Sequence, residues 1–472
     1  MSKPDFNASL QYEGCSKGNR AQYERKALEF CVLSSLVLRW TRFQHCQRSA
    51  WSLESAPLKF SMKLRNQLLA LACVLAFLGV SYLYIRTWVV QKPFGIILFI
   101  SDGMVARHIT AARLYEGGAD HQLGLESFPH LALLRNSSTD FAVPDDAAAA
   151  SALATGVRGK HRTLSIDGHG AALQTIAELA RAQGRAVGIV TNGSLTSPTP
   201  GAFYAHTGDS RDSSALALQL LEKFRPDVAL GGGANDFLPS ASGGHRKDGR
   251  DLLDEFQKKG CEVVRTKAEL EDTFQDSGVL GVFAAESMAF SNNVEAGAQQ
   301  PSLSDMVRRA IVFLQQNSKG YVLIVDASLV GTAAERNDGE HAIGETIALD
   351  HAITTAQKYA GDKSLILAVG RHSTAGMSLN GYPLHQDRGV ALLGNNPAGY
   401  PYITWATGPN GPAPGDATAG ALRARTEPAA YQTPAGMNNA EDVVAVGKGD
   451  GSEHLNGIME STSIFGVLKG AL

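Results

Sequence analysis

Short apolar runs and longer amphipathic stretches alternate along most of this chain. The apolar runs lie at 94–100, 186–190, 228–230, 321–325 and 365–369. Apolar residues recur with helical spacing at 173–183, 214–224, 302–316 and 345–359. Uninterrupted apolar runs of this length are typical of strands buried on both faces. The alternation therefore predicts an α/β fold, with a mainly parallel central sheet and helices on both faces.

Residues 394–438 interrupt this pattern. They are rich in Gly, Pro and Ala and show little hydrophobic period. We expect either a long functional loop or a small insertion subdomain here.

The first 61 residues carry scattered Arg and Lys and no sustained period. We expect this leader to be poorly ordered. Met62 begins the sequence MKLR, which resembles the charged start of an export signal. We therefore hypothesise that translation starts at Met62 and that 1–61 belongs to a wrongly assigned start.

Residues 67–85 form an uncharged, strongly apolar stretch. Its length is close to the roughly 20 residues that a membrane-spanning helix needs. Basic residues dominate upstream of the stretch, which places the N-terminus in the cytoplasm and the later domain in the periplasm or extracellular space. No small-x-small cleavage site follows, so 62–92 is predicted to be a retained single-pass signal-anchor with a short linker. Cleavage of the leader would instead give a secreted protein.

Composition limits the function classes. With 472 residues and 44% hydrophobic residues, the chain can bury a large core and is not a disordered protein. The formal net charge of −3 argues against nucleic acid as a partner, because nucleic-acid-binding domains usually carry a basic face. Cys261 is the one cysteine after residue 73, so the body of the chain forms no internal disulfide.

Two adjacent carboxylates, Asp145 and Asp146, precede an alanine-rich stretch that ends at Gly156. This arrangement predicts a helix with an acidic N-terminus and a glycine C-cap. Taken alone, the pair is best interpreted as one helix-capping aspartate next to a second aspartate without a specific role. The alternative is a phosphate site, because helix N-termini bind anions.

Polar residues follow several of the predicted strands. They are Asp102, Thr199, Asp326, Arg371 and His372. Each alone is more often a turn or loop residue than a functional one. Because the carboxyl ends of parallel strands meet at one edge of a sheet, where α/β folds bind ligands, we expect these residues to converge on one site.

From about residue 94 to the C-terminus, ordered blocks of the sequence resemble the alkaline phosphatase family. The blocks are ILFISDGM, VPDDAAAASALATGV, TPGAFYAH, LGGGANDFLP, KDGRDLLDEF, PSLSDMVRRAI, GYVLIVDAS, IGETIALDHAI, RHSTAGMSL and EDVVAVGKGDGSEHLNG. The resemblance implies an alkaline phosphatase-like domain over 93–472, with 394–438 as a crown-like insertion. It also implies hydrolysis of phosphate monoesters by a serine nucleophile, two zinc ions and one magnesium ion, and it implies a homodimer.

Several family positions are retained. By resemblance, Asp102 matches the aspartate that bridges magnesium and one zinc, and Thr199 matches a magnesium ligand. Asp326 stands where the family has a glutamate ligand, and His372 matches a zinc-ligating histidine. Arg211 is the candidate phosphate clamp, although its spacing from the preceding histidine is one residue longer than expected.

Other family positions are replaced. Asp146 stands in place of the serine nucleophile, and Arg371 in place of the aspartate of one zinc site. The three ligand positions of the other zinc, and one magnesium position, are also changed. They hold Gly331, Glu335, Asn438 and Ser197.

These replacements weaken the expected metal sites. Glu335 and Asn438 are too few ligands for tight zinc binding. Arg371 at a ligand position repels a dication by several kcal/mol at an effective dielectric constant of roughly 20. We hypothesise that Arg371 replaces the zinc charge and pairs with Asp146 or Asp102. The retained oxygen ligands could still hold a magnesium ion. Zinc is expected only because of the resemblance to the family.

Three functions follow. The first is a phosphomonoesterase in which Asp146 forms an aspartyl-phosphate, as carboxylates do in other phosphoryl-transfer enzymes. The second is a membrane-anchored pseudophosphatase that serves as a binding or scaffold module, and the lost nucleophile and ligands favour it. The third, a diverged sulfatase-like or phosphonate hydrolase, fits the nucleophile block less well. The sequence thus predicts a member of the phosphate monoester hydrolase class with impaired or lost zinc-dependent catalysis.

Overall fold

The computed structural model describes residues 62–84, 92–272, 278–380, 393–395, 399–411 and 427–472. The predictions made for 1–61 and for the linker at 85–91 lie outside the described residues. The chain divides into two compact units, Met1–Thr87 and Trp88–Leu472.

The described part of the first unit is one helix, α1 (Met62–Tyr84). Its segment Lys63–Tyr82 has a mean hydropathy of 1.6 and is long and apolar enough to cross a membrane. None of this segment is buried within the chain. Because an export signal meets the same criteria, the retained anchor stays a prediction.

Strands in the described part of the second unit form one large sheet and two small ones. They are β1 (Gly95–Ser101), β2 (His130–Arg135), β3 (Ala186–Ser194), β4 (Val228–Gly232), β5 (Glu262–Val264), β6 (Val279–Val282), β7 (Tyr321–Ala327), β8 (Leu365–Gly370), β9 (Ser373–Thr374), β10 (Ser378–Leu379), β11 (Ile403–Gly408), β12 (Ala429–Gln432), β13 (Asn438–Asn439), β14 (Val443–Lys448) and β15 (Asn456–Glu460). The large sheet has the order β15-β2-β14-β8-β1-β7-β3-β4-β6-β5. Its strands are parallel except where β14 pairs with β2 and β8. The predicted mainly parallel sheet is confirmed.

Helices surround this sheet. They are α2 (Ala106–Gly117), α3 (Asp146–Thr155), α4 (Ile176–Ala182), α5 (Pro198–Gly201), α6 (Ser213–Gln219), α7 (Ala234–Phe237), α8 (Leu252–Lys258), α9 (Lys267–Asp272), α10 (Val294–Gly297), α11 (Leu303–Leu314), α12 (Leu329–Glu335), α13 (Gly339–Tyr359) and α14 (Ser463–Ala471). Three short 3₁₀ turns and one π-helical turn complete the described helical structure, at Gly124–Ser127, Ser240–Ser242, Ser452–His454 and Leu220–Phe224.

Strand β1 shows why both faces of the sheet are covered. Successive side chains of a strand point to opposite faces. Ile96, Leu98 and Ile100 join one hydrophobic cluster, whereas Ile97 and Phe99 join another. Side chains of α3 and α14 belong to the first cluster, and those of α11 and α13 belong to the second. An uninterrupted apolar run therefore becomes a central strand with helices on both sides.

Three predicted helices differ from those observed. The helix expected at 173–183 begins at Ile176, because the Thr175 side chain caps it. The helix expected at 345–359 begins at Gly339, because the Asp338 side chain accepts a hydrogen bond from the backbone N–H of His341 and caps it. The helix expected at 214–224 ends at Gln219 and continues as the π-helical turn. In the region 394–438, β11 and β12 join β10 in a three-stranded sheet. The domain boundaries proposed for that region stay a prediction.

Candidate functional site

The two adjacent carboxylates at the start of α3 have different roles. Asp145 is the N-cap, and its carboxylate accepts hydrogen bonds from the backbone N–H groups of Ala148 at 2.9 Å and Arg162 at 2.7 Å. Gly156 ends the helix in the left-handed conformation, with φ 73°. Because Asp145 caps the helix, Asp146 is left to face other elements.

Replacing Asp145 by alanine should lower the free energy of unfolding by about 1–2 kcal/mol, because two backbone donors lose their acceptor. Urea unfolding followed by circular dichroism measures the change. The matched control is Asp209→Ala, since the Asp209 side chain is 52% exposed and pairs with Arg211. That change should stay within about 0.5 kcal/mol. Equal losses in both variants would exclude the capping role of Asp145.

Three neighbouring strands bring the predicted site residues together. Strand β1 lies between β7 and β8 in the sheet. In the parallel register, Ile100 pairs with Asp326 and Ser101 with Gly370. Asp102 and Arg371 follow directly after the ends of their strands, so both lie at the same sheet edge as Asp326. This edge is where parallel α/β sheets bind ligands.

Arg371 is the buried cation of this edge, and its side chain is only 4% exposed. Its Nη2 lies 3.0 Å from Oδ1 of Asp146 and also contacts Oδ1 of Asp102. Its Nη1 donates to the hydroxyl of Thr199. One guanidinium therefore connects the start of α3 to residues that follow β1 and β3.

His372 completes the contacts of Asp146. Its Nε2 lies 2.8 Å from Oδ1 of Asp146 and 3.9 Å from Oδ1 of Asp102. Because a carboxylate only accepts hydrogen bonds, Nε2 carries a proton and donates to Asp146. The amide of Asn438 lies 3.3 Å from the same Nε2 and donates to the carbonyl of Pro144 at 3.3 Å.

Burial and the charge of Arg371 set the protonation of the site. Burial raises the pKa values of Asp102 and Asp326 despite the opposing charge of Arg371. Burial also opposes ionisation of Asp146, but Arg371 and His372 outweigh it and hold the pKa of Asp146 below its usual range. Burial and Arg371 lower the pKa of His372. Asp146, with 41% of its side chain exposed, is therefore the ionised carboxylate that faces solvent.

Hydrogen bonds that the sequence did not indicate support these groups. The hydroxyl of Thr191 donates to Oδ2 of Asp326 at 2.8 Å, and the hydroxyl of Ser328 donates to the same oxygen. The amide of Asn136 donates to the carbonyl of Arg371. Serine and threonine next to strand ends are too common for these contacts to be inferred from sequence.

Gly331 is packed directly against Asp102. A Cβ atom added at Gly331 would lie 2.3 Å from Oδ2 of Asp102, which is far inside van der Waals contact. No side chain fits at this position while Asp102 keeps its place. Glu335, one helical turn later, is exposed, and burial together with the charge of Asp146 raises its pKa.

Replacing Gly331 by alanine should therefore destabilise the protein by about 1–3 kcal/mol, although alanine is the better helix former. Gly344 in α13 is the matched control, because its nearest neighbour to an added Cβ is 4.0 Å away. Gly344→Ala should be stabilising by up to about 1 kcal/mol. Urea unfolding of both variants tests whether their free energies of unfolding change in opposite directions. A stabilised Gly331→Ala variant would show that Asp102 is not confined by α12.

The residues present do not fit the expected metals. The hydroxyl of Ser197 is buried without a hydrogen-bond partner and could serve a hard cation. However, the oxygens of Asp102 and Thr199 are already in contact with the Arg371 guanidinium. A divalent ion there would meet a fixed positive charge. The other zinc position lacks a side chain at Gly331. Within the described ranges, no three His, Cys, Asp or Glu side chains form a group that could hold a metal ion.

The candidate phosphate clamp, Arg211, lies elsewhere. Its side chain is 62% exposed, and its guanidinium pairs with Asp209 at 3.1 Å. The backbone N–H of the preceding residue, Ser210, donates to the carbonyl of Arg162 at 2.8 Å, so the segment lies beside the loop that contacts Asp145. The ion pair of Arg211 is thus with Asp209 and not with the residues of the sheet edge.

Comparisons with known proteins agree with this architecture. A family model described as Alkaline phosphatase matches residues 95–472. The chain is 32% identical to alkaline phosphatase 4 of Bacillus subtilis over 60% of this chain and 62% of that protein. It is 31% identical to alkaline phosphatase of Escherichia coli over 60% of this chain and 70% of that protein. The match therefore spans less than two thirds of the Bacillus protein.

Solved structures give the same fold. Thermus thermophilus alkaline phosphatase superimposes with a TM-score of 0.66 and 25% sequence identity. The match covers 81% of this chain and 92% of the Thermus chain. The alkaline phosphatase of the Antarctic bacterium TAB5 superimposes with a TM-score of 0.64 and 23% sequence identity. The match covers 81% of this chain and 98% of the TAB5 chain.

Proposed function

Because this chain belongs to the alkaline phosphatase family, we propose that it keeps the family fold but has lost zinc-dependent hydrolysis of phosphate monoesters. In this proposal it is a pseudophosphatase, a binding or scaffold module held outside the cytoplasm by α1. Members of the family normally use zinc and magnesium, act on phosphate monoesters and are often dimers. A homodimer of this chain is part of the proposal.

The contact of Arg371 with Asp102 and Asp146 carries this proposal. In a metal-dependent phosphatase, the metal charge stabilises an anionic transition state and lowers the pKa of the nucleophile. Here the charge is that of a protein cation, whose guanidinium already pairs with the ionised Asp146 and contacts Asp102. It therefore has little positive charge left to attract a phosphate.

Asp146 also opposes phosphate binding. A helix N-terminus attracts anions through its free N–H groups and its dipole. At α3 these features are met by Asp145 and Asp146, which are part of the chain. The ionised, partly exposed Asp146 repels a phosphate dianion that approaches the same place.

A hydrolysis assay tests the proposal. Full-length protein with added zinc and magnesium should release no more p-nitrophenol from p-nitrophenyl phosphate than the Asp146→Ala variant does. Lys258→Ala serves as the control for a charge change at an exposed position, since the Lys258 side chain is 70% exposed. Turnover by the wild-type protein that disappears in Asp146→Ala would contradict the loss of catalysis.

A second candidate function is hydrolysis through an aspartyl-phosphate. The observation in its favour is that Asp146 is ionised and 41% exposed, as an attacking carboxylate must be. Incubation with radiolabelled acetyl phosphate would then leave label that hydroxylamine removes and that Asp146→Asn does not acquire. We expect no such label, because the pairing of Asp146 with Arg371 and His372 lowers the nucleophilicity of its carboxylate.

A further inference from the structure

A cavity of about 430 Å³ lies beside α13. Its volume falls within the roughly 300–1,000 Å³ that is usual for small-molecule sites. Asn192 and Glu345 line it and are 5% and 3% exposed. Met288, Leu303 and Leu329 contribute apolar walls. The cavity thus combines apolar walls with polar side chains and a deeply buried carboxylate.

Glu345 is held by hydrogen bonds from Ser291 and Asn192. Its two oxygens accept hydrogen bonds from the backbone N–H of Ser291 at 2.5 Å and from the amide of Asn192 at 3.1 Å. Within the described part of the chain, no Lys, Arg or His side chain forms an ion pair with it. The hydroxyl of Ser291 is a third donor to Glu345. A carboxylate offers roughly four acceptor positions, so about one of them stays free. Burial raises the pKa of Glu345, and a cation in the cavity would favour its ionised form.

The basic side chains at the cavity wall are engaged elsewhere. Lys267 pairs with Asp305 at 2.9 Å, and His351 pairs with Glu116 at 2.8 Å. They therefore neither neutralise Glu345 nor offer free charge to an anion. The cavity favours a positively charged guest on electrostatic grounds.

We propose that this cavity binds a small organic cation, an ammonium or amidinium group on an apolar body, with the charged end at Glu345. The apolar body would lie against Met288, Leu303 and Leu329. A bare metal ion is a poorer occupant, because one carboxylate and one amide fall short of the about six oxygens that calcium or magnesium requires. The site is separate from Asp146, and the proposal holds whether or not the chain hydrolyses phosphate.

Binding of benzylamine to the full-length protein, measured by saturation-transfer NMR and calorimetry, tests this site. Benzyl alcohol, the neutral match, should bind roughly tenfold or more weakly, because it forms no ion pair with Glu345. n-Butylamine serves as a smaller cationic probe. Absence of binding by both amines, or equal binding of benzylamine and benzyl alcohol, would overturn the proposal.

Variants locate the binding. Glu345→Gln should weaken benzylamine binding roughly tenfold or more, since it removes the charge and keeps the shape. Asp350→Asn is the matched control. Asp350 is also a buried carboxylate of α13, but it accepts hydrogen bonds from Gly124 and Leu125 and does not line the cavity. Its replacement should leave benzylamine binding unchanged.

Ala348→Phe provides a second test that keeps the charge of Glu345. Ala348 lines the cavity, so a phenyl group there should fill the space and abolish binding. Circular dichroism confirms that each variant is folded. Benzylamine binding that survives both Glu345→Gln and Ala348→Phe, or that falls equally in Asp350→Asn, would place the ligand elsewhere and refute the site.

Discussion

Replacing Arg371 by methionine should lower the free energy of unfolding by about 3–5 kcal/mol, because it leaves Asp102 and Asp326 buried without a counter-charge. Asp146, which is partly exposed, would lose its partner at lower cost because water can solvate it. Methionine fills much of the volume of the arginine stem, so the loss is mainly electrostatic. Urea unfolding near neutral pH measures it.

Arg211→Met is the matched control for Arg371→Met. Its guanidinium is exposed and pairs with Asp209, so its loss should change stability by no more than about 0.5 kcal/mol. A loss at Arg371 as small as the loss at Arg211 would show that the buried carboxylates do not depend on this cation.

The pH dependence of the Arg371→Met variant provides an internal check. Burial already raises the pKa of Asp102 in the wild-type protein, and removing Arg371 raises it further. The folded state then binds protons more tightly than the unfolded chain does. The stability deficit should therefore shrink as pH falls from about 7 towards about 5. A deficit that is constant over this range would point to lost packing instead of unpaired charge.

The second large effect concerns Asp102→Asn, which should change the free energy of unfolding in opposite directions with and without Arg371. In the wild-type protein, Asp102→Asn should destabilise, because Arg371 loses a buried partner. In the Arg371→Met background, the same change should stabilise, because it removes an unpaired buried charge. The double-mutant cycle should give a coupling energy of about 2–3 kcal/mol.

Urea unfolding of the wild-type protein, the two single variants and the double variant completes this cycle. Asp146→Asn in the Arg371→Met background is the control, since the Asp146 side chain is 41% exposed and should recover less stability. An identical effect of Asp102→Asn in both backgrounds would mean that Asp102 and Arg371 do not interact.

The central strands were predictable because each is buried on both faces. The run at 94–100 corresponds to β1, whose seven residues are all buried. By contrast, β2 near the sheet edge exposes Leu131 and Leu133, so its leucines did not reveal which face packs on the core. The strand β15, at the outer edge, is likewise mostly exposed and gave no apolar run. Edge strands depend on pairing partners that are far apart in sequence.

The part of the site that depends on pairing opposite charges was predictable from the sequence. A cation at position 371, beside carboxylates expected at the same edge, indicated a salt bridge to Asp146 or Asp102, and the structure shows contacts with both. The confinement of Asp102 by Gly331 was not predictable, because it depends on how closely α12 approaches the end of β1. The surface position of Arg211 depends in the same way on the path of a loop.

Zinc bound by the purified full-length protein reports directly on whether Arg371 has replaced the metal charge. The protein would be dialysed against zinc and then against metal-free buffer, and its metal content measured by mass spectrometry. If Arg371 occupies the site as a cation, the zinc content should be roughly 0.1 ions per chain or less, because too few ligands remain. About one or more zinc ions retained per chain, and lost in a His372→Ala variant, would contradict this account.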